Sequence, residues 1–203
     1  DEDEIPVKHL FRTYDEMSPM EQKALNLAQG KILDCGAGSG CHALALQDMG
    51  KDVDAIDISP LSVEVMEKRG VQNASQVDLF HHTAVQKYDT VLMLMNGSGI
   101  IGKIENMGGF FTKMKQILKP GGVVFMDSSD LKYLFEDEDG SYQIDLNGNY
   151  YGVPYRSLIA SKLKNLLLAD WLVCLKKQKT PIRIQNAYCI FIGVILLDIS
   201  KFT

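Results

Sequence analysis

Short apolar runs alternate with amphipathic stretches through residues 1–128 of the chain. Lys31 to Cys35 (KILDC) is an apolar run with an acid near its end, and it predicts a first strand. Helical spacing follows from about Gly40 to Met49. Val53 to Ile58 predicts a second strand ending at Asp57, and Ser59 with Pro60 supplies the cap and first-turn proline of a helix through Arg69, closed by Gly70. A short strand is expected near Ser75 to Leu79, carrying Asp78. Tyr88 to Met95 (YDTVLMLM) is almost wholly apolar, as a central parallel strand covered on both faces is. A flexible turn, Asn96-Gly97-Ser98-Gly99, comes next. A helix through Phe110 to Leu118 then stops at Pro120-Gly121-Gly122, and Gly122 to Asp127 reads as another strand. Upstream, Ser18, Pro19 and Glu21 form an S-x-x-E capping box for a helix that Gly30 ends. This alternation predicts an α/β protein with a parallel, doubly wound sheet.

The rhythm breaks after residue 128. Tyr133 to Tyr155 is acidic and tyrosine-rich, with Asp139-Gly140 and Asn147-Gly148 as turn signals around the alternating SYQIDL. A small antiparallel insertion after strand five is expected there. Glu136 to Gly140 superficially resembles a calcium loop, but Phe135 would occupy the first ligand position and the closing glutamate is missing. No metal is therefore expected. Ser157 to Lys177 predicts a helix, Pro181 stops it, and Ile182 to Ile184 and Cys189 to Leu197 read as closing strands. No repeat or linker appears. A single domain over residues 1–203 is expected, with arm and helix at 1–30, core at 31–128, hairpin at 129–156 and closing helix and strands at 157–203.

At 203 residues the chain is long enough for one substantial core. Its formal charge is -5, and its basic clusters are no larger than Lys176, Lys177 and Lys179, which disfavours a nucleic-acid partner. Asp1 to Glu4 does not read as a secretory signal. Ala187 to Ile199 is shorter than the roughly 20 residues of a membrane span. The four cysteines, Cys35, Cys41, Cys174 and Cys189, form no CxxC pair and suggest neither disulfides nor zinc. A cytoplasmic protein with no membrane partner is the expectation; the oligomeric state is left open.

Gly36, Gly38 and Gly40 alternate directly after the first strand, where α/β proteins bring bare backbone to an adenosine-containing cofactor. Gly38, Gly40 and Ala43 also fit a dinucleotide fingerprint of the form GxGxxA. Three acids favour another ligand. Asp34 would repel a pyrophosphate but hold an ammonium group. Asp57 suits ribose hydroxyls, and Asp78 an exocyclic adenine amine. A nucleoside with an amino-acid tail and no phosphate meets all three conditions, and S-adenosylmethionine is such a molecule.

On these residues the chain resembles the class I S-adenosylmethionine-dependent methyltransferases. Asp34-x-Gly36-x-Gly38-x-Gly40 is similar to their first motif, Asp57 to their second-strand acid, and Val77-Asp78-Leu79 to their adenine-flanking segment. Leu118-Lys119-Pro120-Gly121-Gly122 is similar to the turn into their fifth strand. FRTYDEM, HALALQDMG, LMNGSGIIG, and SSD followed by EDEDGSY resemble a bacterial subgroup of methyltransferase-like proteins. The resemblance implies a Rossmann-like, mostly parallel seven-stranded sheet whose last strand is antiparallel. It also implies a cofactor set of Asp34, Gly36, Ala37, Gly38, Gly40, Asp57, Ile58, Asp78, Leu79 and Asn96. The last fifty residues depart from the pattern, lacking a glycine-containing turn before the sixth strand.

Methyl transfer needs alignment and water exclusion more than a dedicated catalytic residue. Candidate bases for an acceptor that loses a proton are His42, His81, His82, Tyr14 and Asp130, and the sequence selects none. The N-terminal Phe11, Arg12 and Tyr14 either line the site or form a packing arm with a solvated arginine. No Asn/Asp-Pro-Pro-aromatic tetrad follows strand four, where Asn96-Gly97 stands instead. Together with the acidic balance, this favours a small-molecule acceptor, with the tyrosines of residues 133–155 as a lid or as ordinary cross-strand pairs. Two alternatives remain: a non-catalytic S-adenosylmethionine-binding module, and an NAD(P)-dependent oxidoreductase.

Overall fold

A computed structural model describes residues 7–127 and 192–195. The chain opens with a single helical turn, α1 (Val7–Leu10), and a 3-10 turn at Tyr14–Glu16. Helix α2 (Pro19–Leu27) starts as expected. Glu21 N–H donates to Ser18 Oγ (3.3 Å), and Ser18 N–H donates to Glu21 Oε2 (3.0 Å), which satisfies two open helix-end donors reciprocally. The helix ends earlier than Gly30, because Ala28 is already extended (φ -61°, ψ 133°). Lys51 Nζ donates to the carbonyls of Leu25 (2.6 Å) and Ala28 (2.7 Å), which the helix end leaves open. Gly30, at φ +67°, instead turns the chain into the first strand; a Cβ there would lie 2.2 Å from Asp89 Oδ2.

The alternating unit comprises β1 (Lys31–Cys35), α3 (Cys41–Asp48), β2 (Asp52–Asp57), α4 (Pro60–Arg69), β3 (Ala74–Gln76), β4 (Tyr88–Met93), α5 (Met107–Ile117) and β5 (Leu118–Asp127). A last described strand, β6 (Ile192–Ile195), runs antiparallel to β5. The sheet order is β3-β2-β1-β4-β5-β6, and β1 to β5 are mutually parallel. These elements belong to one compact unit. The α/β architecture and parallel sheet are as the hydrophobic pattern predicts.

Successive residues of a strand point to opposite faces. Ile32 and Leu33 of β1 and Val91, Leu92 and Met93 of β4 are all buried, so the sheet is covered on both sides. One face packs with Leu25 of α2, Leu46 of α3 and Met66 of α4 around Ile32, Ala55 and Leu92. Helix α5 contacts β5, and its buried Phe110, Met114 and Ile117 recur at helical spacing.

Several boundaries differ from expectation. β3 stops at Gln76, so Asp78 lies on the following turn rather than in a strand. Helix α5 ends at Ile117, and Leu118 already pairs with Tyr88. The ladder then slips to Thr90↔Val123, because Pro120 has no N–H to donate and Gly121 takes φ +78°. Asn96 to Gly99 is not a loose turn, since Gly97–Ile101 forms a 3-10 helix. The hairpin expected at residues 133–155, the helix at 157–177 and the strand at 182–184 lie outside the described residues.

Candidate cofactor-binding site

The strand order reverses direction between β1 and β4, and in open α/β sheets ligands bind outside the carboxyl ends of the strands at such a switch point. Asp34, paired in register with Leu92 of β4, lies there. Its carboxyl is 1% exposed, and Oδ2 has no hydrogen-bond partner. Burial pushes its pKa above the ordinary carboxylate range, with Asp57 acting in the same sense; His42 and the Ala43 N–H oppose it. A buried carboxylate oxygen without a donor is costly unless a ligand supplies one.

The glycines after β1 are required by the backbone. Gly36, Gly38 and Gly40 have φ of +68°, +55° and +80°. Gly36 and Ala37 N–H both donate to Ile56 O (2.8 and 3.1 Å), which lays the turn against β2. A Cβ on Gly36 would lie 2.9 Å from Ile100 Cδ1, and one on Gly40 would meet Val71 Cγ2 at 2.8 Å and Met66 Cγ at 2.9 Å. Gly38 has open space instead, so its surface remains available to a ligand.

Asp57 closes the turn from the other side. Its Oδ2 accepts from Gly38 N–H (2.8 Å) and Oδ1 from Ser59 N–H (2.9 Å). A carboxylate accepts about four hydrogen bonds, so both oxygens retain capacity. Val77 N–H donates to Asp57 O (3.0 Å), which brings the Asp78 turn beside it. Asp78 accepts from Phe80 N–H (2.8 Å) and lies 3.2 Å from His81 Nδ1. Leu79 is buried at 3% exposure, while Ile58 is exposed at 71% on the rim. Asn96 follows β4, so Asp34, the glycine turn, Asp57, Asp78 and Asn96 occupy one edge of the sheet.

The N-terminal arm touches this turn. Arg69 donates to Ser39 O (2.6 Å) and Oγ (3.0 Å), with its guanidinium 4.8 Å from the Phe11 ring centroid; Ser39 Oγ donates to Leu10 O. Arg12 is not a solvated arginine. It is buried and ion-paired with Glu21, and His42 Nε2 lies 2.8 Å from the same Glu21 oxygen. Burial opposes ionisation of Glu21, but hydrogen bonds from His42 and Arg12 outweigh it and hold the carboxyl well below its usual range. Arg12 Nε, like Asp34 Oδ2, is buried without a partner.

Of the remaining base candidates, His81 is exposed, while His82 lies 3.1 Å from Tyr88 Oη, whose hydroxyl donates to Asp54 Oδ2 (2.9 Å). His82 is therefore tied through Tyr88 to the start of β4. Asp130 lies outside the described residues. Sequence reasoning missed Arg69, the buried role of Glu21, and Asp127 at the end of β5. The signal for Asp127 was present, since it repeats the pattern of an acid at a strand's carboxyl end. Among the described residues there is no helix long and apolar enough to cross a membrane and no cluster able to hold a metal ion.

A doubly wound sheet whose switch point carries a glycine turn flanked by three acids defines a nucleoside-cofactor-binding α/β protein. Residues 33–126 match the methyltransferase domain family. A solved S-adenosylmethionine-dependent methyltransferase of Bacteroides fragilis, in complex with S-adenosyl-L-homocysteine, is 67% identical, with a TM-score of 0.64 over 70% of this chain and 59% of that one. Among curated relatives, a cypemycin N-terminal methyltransferase of Streptomyces is 30% identical over 49% of this chain and 42% of its own length. A ubiquinone biosynthesis O-methyltransferase of Xanthomonas oryzae is 27% identical over 51% and 45%. The chain thus spans under half the length of these two curated relatives. Residues 33–126 thus carry a methyltransferase domain, and in sequence and fold the chain is similar to the S-adenosylmethionine-dependent methyltransferases.

Proposed function

We propose that this protein transfers a methyl group from S-adenosylmethionine to a small-molecule acceptor. The observation that carries the reading is the pair of buried, partnerless polar atoms at the site, Asp34 Oδ2 and Arg12 Nε, one acidic and one basic. They fit the two ends of a zwitterionic amino-acid moiety, whereas a pyrophosphate would be repelled by the Asp34 carboxylate. In this reading Asp34 holds the ammonium and Gly36, Ala37, Gly38 and Gly40 give close backbone approach. Asp57 uses its remaining acceptor capacity on ribose hydroxyls, and Asp78 meets the adenine amine. Ile58 and Leu79 flank the base. Asn96 stands where donor and acceptor meet.

When bound, S-adenosylmethionine would supply an electrophilic methyl whose bond to sulfur breaks, leaving the S-adenosylhomocysteine thioether, as an acceptor heteroatom bonds to the methyl carbon from the opposite side. The chain's own contribution is to align and to exclude water. We also propose that the complete domain follows the family sheet of seven strands with the last antiparallel, which the antiparallel pairing of β6 with β5 supports.

Thermal shift and calorimetry test the cofactor: S-adenosylmethionine and S-adenosylhomocysteine should stabilise the protein and NAD(P) should not. Stabilisation by NAD(P) alone would overturn the reading. Formation of S-adenosylhomocysteine with a metabolite pool tests turnover, and binding without turnover would instead identify a cofactor-binding module.

A further inference from the structure

The backbone leaving β4 adopts an arrangement that L-residues rarely hold twice in succession. Met95 (φ 61°) and Asn96 (φ 63°) are the two positive-φ residues other than glycine among the described residues, and they are adjacent. Asparagine tolerates this region better than most residues, but methionine has no such allowance. Gly97 then has no room for a side chain, since a Cβ would lie 2.7 Å from Met93 Cβ. The chain has folded back on its own strand, and something must hold it there.

Asp127, the last residue of β5, does so. Its Oδ2 accepts from Met95 N–H and its Oδ1 from Gly97 N–H, each at 3.0 Å. Burial, with the charge of Glu21, raises the Asp127 pKa above the ordinary carboxylate range, while the N–H groups of Gly97, Met95 and Asn96 favour the ionised carboxyl. The pairing of Met93 with Met126 sets Asp127 one residue beyond the end of the ladder, within reach of the turn. Met95 and Asn96 are left exposed at the sheet's carboxyl edge, and Ile100 of the following 3-10 helix reaches the position a Gly36 side chain would fill.

We propose that Asp127 is a positioning residue: its carboxylate clamps Met95-Asn96-Gly97 into a strained knuckle that fixes the acceptor-side wall of the site opposite the glycine turn. This rests on the methyl-donor reading above, and the test separates the two. The full chain is titrated with S-adenosylhomocysteine by calorimetry, and S-adenosylmethionine carrying a ¹³C-methyl group is observed by NMR in the bound state. If the wild-type protein binds neither ligand, the cofactor reading fails.

Given wild-type binding, Asp127→Asn sets an amide donor against at least one backbone N–H. It should bind S-adenosylhomocysteine within about threefold of wild type, because the acids and glycines of β1 to β3 are untouched. Its bound methyl resonance should move toward the free-ligand position and broaden. Adding Met95→Gly should recover part of the lost melting temperature, since glycine takes positive φ freely, without recovering the resonance. Should D127N not fold, the double variant carries the same expectation. A wild-type methyl resonance in either bound variant overturns the proposal. So does a tenfold or greater loss of S-adenosylhomocysteine affinity, which would make Asp127 part of the donor site.

Discussion

Replacing Glu21 by Gln tests the buried charge cluster under the glycine turn. The change keeps the side chain's shape and removes its charge. Arg12, with a side chain only 3% exposed, then loses its counter-charge, and His42 loses the negative charge beside it. Removing one partner of a buried ion pair costs about 3–5 kcal/mol, because the other charge stays desolvated. The capping bond from Ser18 N–H survives on the amide oxygen and contributes little to the difference. At about 2–4 °C per kcal/mol for a chain of this size, the melting temperature should fall by about 6–20 °C. The pH dependence supplies the second arm. Glu21 is held well below its usual range when folded, so its contribution is present above the unfolded pKa of about 4.3 and is lost as pH falls through the folded value. The gap between wild type and E21Q should therefore be full near neutrality and narrow only in strong acid. Melting curves followed by circular dichroism or calorimetry across that range measure it. A gap under about 1 kcal/mol at neutral pH, or one that widens on acidification, would refute the reasoning, since an exposed pair is worth no more than that.

Asp34→Asn should stabilise the free protein slightly, because it removes a buried charge without a donor, and should weaken S-adenosylmethionine binding by about 10- to 150-fold, the worth of a charged hydrogen bond; melting and calorimetry on one sample decide both. Burial raises the Asp34 pKa, so wild-type affinity should decline as pH falls into the range just above ordinary carboxylates, while D34N should show no such decline in a pH series of titrations. Gly40→Ala combines positive φ with contacts of 2.8 and 2.9 Å and should cost about 2–4 kcal/mol, whereas Gly38→Ala, with the strain but open space, should cost about 1–2 kcal/mol; the reverse order in denaturant unfolding would contradict the packing around Met66.

Much of the frame was legible because it depends on local chemistry. The capping box at Ser18 and Glu21, the Ser59-Pro60 start of α4 and its Gly70 close are short-range signals that no tertiary contact overrode. The apolar runs of β1 and β4 could only be central strands. What the sequence hid depends on partners distant along the chain. Glu21 reads as a cap, yet its second oxygen is committed to Arg12 and His42, nine and twenty-one residues away. Asn96-Gly97 reads as a loose turn because Asp127, thirty residues later, is invisible to any local rule. Leu118 reads as the end of a helix because nothing nearby announces its pairing with Tyr88.

The acids at the carboxyl edge show why position alone leaves their roles undecided. Asp34, Asp57 and Asp127 each end or nearly end a parallel strand, and Asp78 follows the short β3. A carboxylate in such a place either shapes a loop or receives a ligand, and the partners its oxygens already have distinguish the two. Asp127 takes the N–H groups of Met95 and Gly97, with that of Asn96 as a third backbone donor, and is a clamp. Asp57 spends one bond on each oxygen and keeps acceptor capacity, so it both holds Gly38 and remains open to hydroxyl donors. Asp78 has a backbone donor on one oxygen and an exposed histidine on the other, an arrangement that a ligand amine can replace at small cost. Asp34 alone among these four keeps a buried oxygen with no partner, and the fold bears that penalty unless a donor enters. Its unmet bond, rather than the glycines beside it, is therefore the strongest argument for an ammonium group at this turn.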